Sequence, residues 1–300
     1  MIEKKLAQWY ASLSGVGLDI AEREIVLTYV LRLLYDGRFL DKLAFKGGTA
    51  IRKLHLGRTG RFSLDLDFTS VAEREPGDLV LDLVELFDGR TYQGIAFSVP
   101  QSGYWTTDDS CGAEVRYRHE WVEAGRLAIQ ISCRALPLLP VRGTDLLPEQ
   151  YFEWMGVELP RVPALDLLEV IGEKIRAAAQ RARARDVYDL YQFAVEPYDR
   201  PMVRLIAVIK CWEAGYALDP AAFLRGLGER KYDWPDLKRL VRRDRWSPPE
   251  GIVETVRDAY AFLEDLTAEE AELASDPYRR KVQLYNQLVN ELRSKGGSRC

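Results

Sequence analysis

Apolar spacing along the chain changes period near its middle. As far as residue 133 short alternating stretches are interleaved with helical patterns, whereas from Ala164 onward apolar residues recur every three or four positions. In the first part the run from Asp19 to Leu34 predicts a helix with Asp19 as its N-cap and Ile25, Tyr29 and Leu33 on one stripe. The residues before it show no clear caps and predict no element. Asp36, Gly37 and Arg38 stop that helix, and Leu43 to Phe45 predicts a short strand. Ala50 to Leu56 is compatible with a helix, and Phe62 to Phe68 alternates as a strand does. Pro76 and Gly77 open a second amphipathic helix, Asp78 to Phe87. Strands are then expected over Ile95 to Val99, Glu114 to Trp121 and Arg126 to Cys133, the last with Leu127, Ile129 and Ile131 on one face.

The stretch from Leu136 to Pro163 is too rich in proline for one regular element and reads as a crossover between two lobes. After it come a stripe of Leu165, Leu168, Ile171 and Ile175, then helical runs over Val187 to Phe193, Met202 to Trp212, Pro220 to Leu227, Ile252 to Leu263 and Val282 to Leu292. The fold class expected is α+β: a lobe over residues 1–160 with a mixed β-sheet flanked by helices, then an all-helical lobe over 161–300. GlyGlySer at Gly296 to Ser298 reads as a flexible tail, and no internal repeat is visible.

Composition narrows the function. With 300 residues, 47% hydrophobic and 29% charged, the chain is long enough for two cores. No apolar run reaches the length needed to span a bilayer and the N-terminus has no signal-like region, so a cytoplasmic protein with no membrane partner is expected. Cys111, Cys133, Cys211 and Cys300 lack CxxC spacing and only His55 and His119 accompany them, which argues against a zinc site and for reduced thiols. The net charge of −4 argues against general coating of nucleic acid. Basic residues nevertheless cluster between Lys174 and Arg185 and again between Arg225 and Arg245, where an RNA could be gripped.

The densest chemistry lies between Lys46 and Phe68. Lys46, Gly47, Gly48 and Thr49 precede a helix-compatible run, and first-turn amides at such a start form a phosphate seat. Asp65 and Asp67 are two apart, so on a strand both carboxylates leave one face while Leu64, Leu66 and Phe68 leave the other. A carboxylate pair beside a phosphate seat suits Mg²⁺, or Mn²⁺, and an NTP. Phosphoryl or nucleotidyl transfer is the expected chemistry. Further on, Lys174 and Arg181 are expected on one cationic helix face, with Asp186 and Asp189 neighbours if helical. A lysine there would offset phosphate charge during transfer.

PheLysGlyGlyThrAla, ArgPheSerLeuAspLeuAsp, GluLysIleArgAla and ArgAspValTyrAspLeu, in this order between Phe45 and Leu190, resemble the AbiEii/MenT family of nucleotidyltransferase toxins. The resemblance implies a DNA-polymerase-β-like transferase lobe, a helical lobe that completes the active site, NTP and Mg²⁺. It also implies transfer of NMP to an RNA acceptor such as the tRNA 3′ end, growth arrest in a type IV (AbiE) toxin–antitoxin system, and a cognate antitoxin from an adjacent gene. Carried onto this chain, the phosphate-binding pair is Gly48 and Thr49, the metal carboxylates are Asp65 and Asp67, the nucleotide-contacting lysine is Lys174, and the last acid is Asp186 or Asp189. One departure stands out: Gln130 occupies the place where many such transferases carry a third carboxylate, so a general base must come from Asp67 or from the Asp186 and Asp189 pair. That gap leaves two alternatives: a non-catalytic nucleotide- or RNA-binding module, and a phosphotransferase acting on a protein or small molecule.

Overall fold

The computed structural model describes residues 2–297. The chain opens on α1 (Lys4–Ser14), for which the sequence gives no start signal because no side chain caps it. Gly15, at φ +64°, ends it. The next helix, α2 (Leu18–Asp36), starts one residue before Asp19, and its N-cap is Gly17, so Asp19 contributes a first-turn acid and not the cap expected of it. Ile25, Tyr29 and Leu33 are buried as expected, but so are Glu22, Glu24 and Thr28, so α2 is enclosed on more than one side.

A strand, β1 (Leu43–Lys46), delivers the chain into α3 (Gly47–Ala50), which continues without a break into a π-helical segment, Ile51–Leu56. The next strand, β2 (Leu66–Ser70), is shorter than the alternation from Phe62 suggests: residues 61–64 are irregular and Asp65 lies on a bend. Then follow α4 (Pro76–Phe87), β3 (Thr91–Tyr92), β4 (Ile95–Ser98), β5 (Tyr104–Thr106), β6 (Ser110–His119) and β7 (Val122–Ser132).

The proline-rich stretch is not a bare crossover. It holds β8 (Arg142–Thr144) and β9 (Val162–Ala164), and both extend the same sheet. Only β8 is an edge strand; Pro163 lies one strand in, on β9, which meets β1 through a single pair, Phe45 with Ala164, so the ring interrupts little of the ladder. The order is β3-β4-β6-β7-β2-β1-β9-β8, with β5 also on β6; β2 runs parallel to β7 and β1 to β9, and the remaining pairs are antiparallel. Leu66, Phe68, Ile129, Ile131, Ala113 and Val115 turn one face of this mixed sheet into a core shared with α1, α2 and α4.

The chain divides into two compact units. The first is Met1–Pro137, Val141–Leu165 and Arg239–Arg245; Leu240 belongs to its core, and the Phe62 amide donates to the Leu240 carbonyl at 2.8 Å. The second, Leu138–Pro140, Asp166–Lys238 and Trp246–Cys300, is helical. It contains α5 (Leu167–Gln180), α6 (Ala184–Phe193), α7 (Arg200–Glu213), α8 (Pro220–Glu229), α9 (Trp234–Lys238), α10 (Pro249–Ala259), α11 (Ala268–Ala274) and α12 (Val282–Gly297). The stretch expected as a glycine-rich tail is helical through Gly297, while Ser298 and Cys300 lie outside the described residues. Cys111, Cys133 and Cys211 are free thiols. No described helix is long and apolar enough to cross a membrane.

Candidate active site

The start of α3 is shaped by two glycines that have different jobs. Gly47 adopts φ +77°, and a Cβ built there would stand 2.1 Å from Asp67 Oδ2, so the Asp67 carboxylate lies directly against the first residue of the helix. At Gly48 a Cβ would meet Arg61 Nη2 at 2.6 Å and Ser63 Oγ at 2.9 Å. Only a residue without a side chain lets a carboxylate, a guanidinium and a hydroxyl gather at one helix start. First-turn amides at Gly47, Gly48 and Thr49 have no partner inside the helix, and they carry the positive end of its dipole.

Thr49 is buried, and its hydroxyl donates to the Asp65 carbonyl at 2.5 Å. Its side chain therefore pins the bend that carries Asp65, leaving the backbone amide as its means of touching a phosphate. Because β2 begins at Leu66, strand alternation fixes the direction of Asp67 alone; Asp65 is placed by this clamp and not by the pleat. Asp67 pairs with Lys46 on β1 and with Gln130 on β7, so the amide sits beside the carboxylate on the neighbouring strand. Gln130 is exposed, and Asp65 and Asp67 are half-buried.

These donors suit a hard divalent cation. Two half-buried carboxylates offer oxygen only, and among the described residues no group of three or more His, Cys, Asp or Glu could hold a metal. A site with two protein carboxylates leaves coordination positions for substrate phosphate and water, which is how Mg²⁺ is usually held.

Arg61 and Ser63 escape a reading of the sequence, although both stand in the ArgPheSerLeuAspLeuAsp motif. Their signal is adjacency to Asp65; what the chain order hides is that the loop folds back over Gly48. A buried network behind the site is equally invisible in the sequence. Arg52 donates to the Gly57 and Gly60 carbonyls, to Tyr10 Oη and to Glu149, and its guanidinium stacks 3.8 Å from the centre of the Phe62 ring. Lys53 Nζ reaches Glu24 and Thr28, each at 2.8 Å. Burial pushes the Glu24 carboxyl up, but Lys53 and Arg52 more than offset it and hold it below its ordinary value.

In the helical unit, Lys174 Nζ stands 2.8 Å from Asp189 Oδ2 and 3.2 Å from Asp186 Oδ1, all three groups being almost fully buried. The resemblance leaves open whether Asp186 or Asp189 accompanies Lys174; both carboxylates stand against it. Arg181 differs from expectation. It does not share a helical face with Lys174, because α5 ends at Gln180 and Arg181 is its extended C-cap, from which it folds back onto Asp186 at 2.7 Å. Burial raises the Asp186 carboxyl, yet Lys174 and Arg181 together bring it well below the usual carboxylate range. Much of the basic character expected to grip RNA is spent internally: Arg185 pairs with Asp236, and Arg230 donates to the Ala178 and Ala179 carbonyls at the end of α5.

Residues 30–281 match the family described as nucleotidyl transferase AbiEii toxin, type IV TA system. Among solved structures, MenT4, a nucleotidyltransferase toxin from Mycobacterium tuberculosis H37Rv, is similar with a TM-score of 0.83 and 26% identity, over 98% of this chain and 100% of that one. A chain from H. pylori provisionally described as a nucleotidyltransferase aligns at a TM-score of 0.49 and 18% identity, over 81% of this chain and 94% of that one. No curated protein matches the sequence.

Proposed function

Because the chain belongs to the AbiEii family of nucleotidyl transferase toxins of type IV toxin–antitoxin systems, we propose that it moves NMP from an NTP to an RNA acceptor, the 3′ end of a tRNA, and so arrests growth. One observation carries this reading: the Asp67 carboxylate lies against Gly47 at the first turn of α3, with Asp65 clamped beside it by Thr49. A phosphate seat and a carboxylate pair are thereby built from adjoining backbone.

In the proposed reaction the acceptor 3′ oxygen bonds to the α-phosphorus of the NTP, the bond to the β-phosphate oxygen breaks, and pyrophosphate leaves. The acceptor's proton passes to a carboxylate or to solvent. Gly48 and Thr49 amides, with Lys46, Gly47 and the Arg61 guanidinium, orient and neutralise the triphosphate. Asp65 and Asp67 would hold Mg²⁺ or Mn²⁺, which when bound supplies charge stabilisation at the transferring phosphate. Asp186 is poorly suited to accept a proton, since its carboxyl is held ionised far below neutral pH. Its part, with Asp189 and Arg181, is to fix Lys174, the nucleotide-contacting cation. A cytoplasmic location and a cognate antitoxin from an adjacent gene complete the reading.

The test is incorporation of α-labelled NTP into tRNA with and without Mg²⁺, alongside growth on induction. Wild type should label RNA and slow growth, and Asp67→Asn should do neither. Lys174→Met keeps most of the aliphatic stem but not the charge, and should lower NTP affinity and turnover together. Equal labelling by wild type and Asp67→Asn would sink the metal-carboxylate assignment, and release of a nucleoside diphosphate in place of pyrophosphate would move the chemistry to phosphotransfer.

A further inference from the structure

The sheet has a second face, and its open side continues outward from Asp67. Direct cross-strand partners share a face, and the pairings Lys46 with Asp67, Asp67 with Gln130, Gln130 with Gly112, and Gly112 with Trp105 place these five residues in one row over five strands. The intervening positions, Phe45, Phe68, Ile129, Ile131 and Ala113, point into the core. A Cβ at Gly112 would meet the Trp105 ring at 2.4 Å, so the indole folds across Gly112, toward Gln130 and Asp67, while remaining 38% exposed. Strands lie about 4.8 Å apart, which sets Gly112 roughly 10 Å from Asp67.

Along β6 the same face carries Glu114, Arg116 and Arg118, and Arg126 stands opposite Arg116 on β7. The three arginines line a cavity of about 720 Å³ together with Ala96 and Ser98 of β4. Arg116 and Arg126 are 56% and 68% exposed, and Arg118 has no ion-pair partner among the described residues. Two acids stand among the arginines. Glu114 is only loosely paired, at 3.7 Å from Arg116 and 4.0 Å from Arg126, and Glu123 lines the cavity. Such exposed pairs contribute little and yield readily to a phosphate.

We infer that this open face is the track of the acceptor strand: a single-stranded RNA 3′ end whose terminal base stacks on Trp105 over Gly112 and whose phosphates follow Arg116, Arg118 and Arg126. This rests on the RNA-acceptor reading above. An aromatic plane beside a cationic groove is the recurring way to hold single-stranded nucleic acid, since every base has a π face and every phosphate a charge. The row gives the arrangement a direction, because the stacked base lies two strands from the carboxylate that serves transfer. Gly112 is required by the indole, and the Gln130 amide can both donate to and accept from a base edge.

The experiment titrates a hairpin RNA with a single-stranded 3′ overhang, at several salt concentrations, against wild type, Trp105→Ala, Trp105→Tyr and the triple variant Arg116→Gln/Arg118→Gln/Arg126→Gln. NTP is titrated in parallel and melting temperatures are compared. Trp105→Ala should weaken RNA binding about ten-fold or more, and Trp105→Tyr should recover most of it. The triple variant should lower the magnitude of the log–log salt slope by about two, at roughly 0.7 for each phosphate that is no longer neutralised. Wild-type RNA affinity and salt slope in both the alanine and the triple variant would overturn the inference, as would a fall in NTP affinity that matches the fall in RNA affinity. Should wild type extend RNA while these variants extend it equally well, only the track is lost. Should wild type bind and extend no RNA, the acceptor reading fails and takes the track with it.

Discussion

Gly47 is held by two constraints, a backbone in the left-handed region and the Asp67 carboxylate where a side chain would start. Gly47→Ala should therefore cost about 1–2 kcal/mol from the backbone alone and also displace Asp67. The expected outcome is a lower melting temperature together with transfer near background; a variant with wild-type turnover would separate Asp67 from the chemistry. Asp186 makes the second case. Its folded carboxyl ionises at lower pH than an unfolded one, so below about pH 4 the unfolded chain binds the extra proton. The stability this group contributes is complete above that range and is lost as pH falls. Stability measured against pH should decline less steeply under acid in Asp186→Asn than in wild type. At neutral pH the same variant should be the less stable, because Lys174 loses a charged partner.

Among the elements, the π-helical segment Ile51–Leu56 explains most about the site. Arg52 and Lys53 are adjacent in sequence and both buried, so two charged side chains occupy positions that helical patterning gives to apolar residues. Arg52 ties the Gly57 and Gly60 carbonyls to Glu149 and Glu24, and so it fixes the loop that leads to Arg61, Ser63 and Asp65. Arg52→Met removes one partner of a buried ionic network and leaves Glu24 and Glu149 undercompensated. We expect a loss of about 3–5 kcal/mol by denaturant titration, with transfer falling even at temperatures where the variant stays folded. A loss under about 1 kcal/mol would show that the network is not structural. In the helical unit Lys210 has the matching place, 2.8 Å from Glu169, whose carboxylate also accepts the Leu138 and Leu139 amides.

At the scale of the whole molecule, the first unit is not contiguous. It recruits Arg239–Arg245 from far along the chain, where Leu240 enters its core and its carbonyl accepts the Phe62 amide beside the loop that carries Asp65. A fragment of residues 1–165 should therefore be aggregation-prone and should lack the cooperative melting of the intact chain, whereas restoring residues 239–245 through a linker should recover part of it. Cooperative unfolding of the bare fragment at the intact protein's temperature would contradict this. Ligand linkage offers another check at this scale. A saturating NTP with Mg²⁺ at about 100 times its Kd should stabilise wild type by about 2.7 kcal/mol, and should do far less for a variant lacking both Asp65 and Asp67.

The sequence by itself determined the fold class, the order of most elements, the family, and the residue types that a nucleotide site requires. Those features are written in local periodicity and in short motifs, where neighbours in the chain are neighbours in space. That Asp186 and Asp189 are neighbours on one helix was legible for the same reason, whereas the structure decided that both, and not one or the other, meet Lys174. Local pattern misplaces what depends on where an element stops: Arg181 leaves its helix at Gln180, and Asp65 falls outside its strand. Tertiary structure alone decided that Asp67 rests on Gly47, that Arg61 and Ser63 close over Gly48, that Arg52 and Lys53 are buried with Glu24, and that Trp105 shares a row with Asp67. Each of these joins residues from different strands, helices or loops, and the register that aligns them is set by packing of the sheet's buried face, for which no local pattern stands proxy.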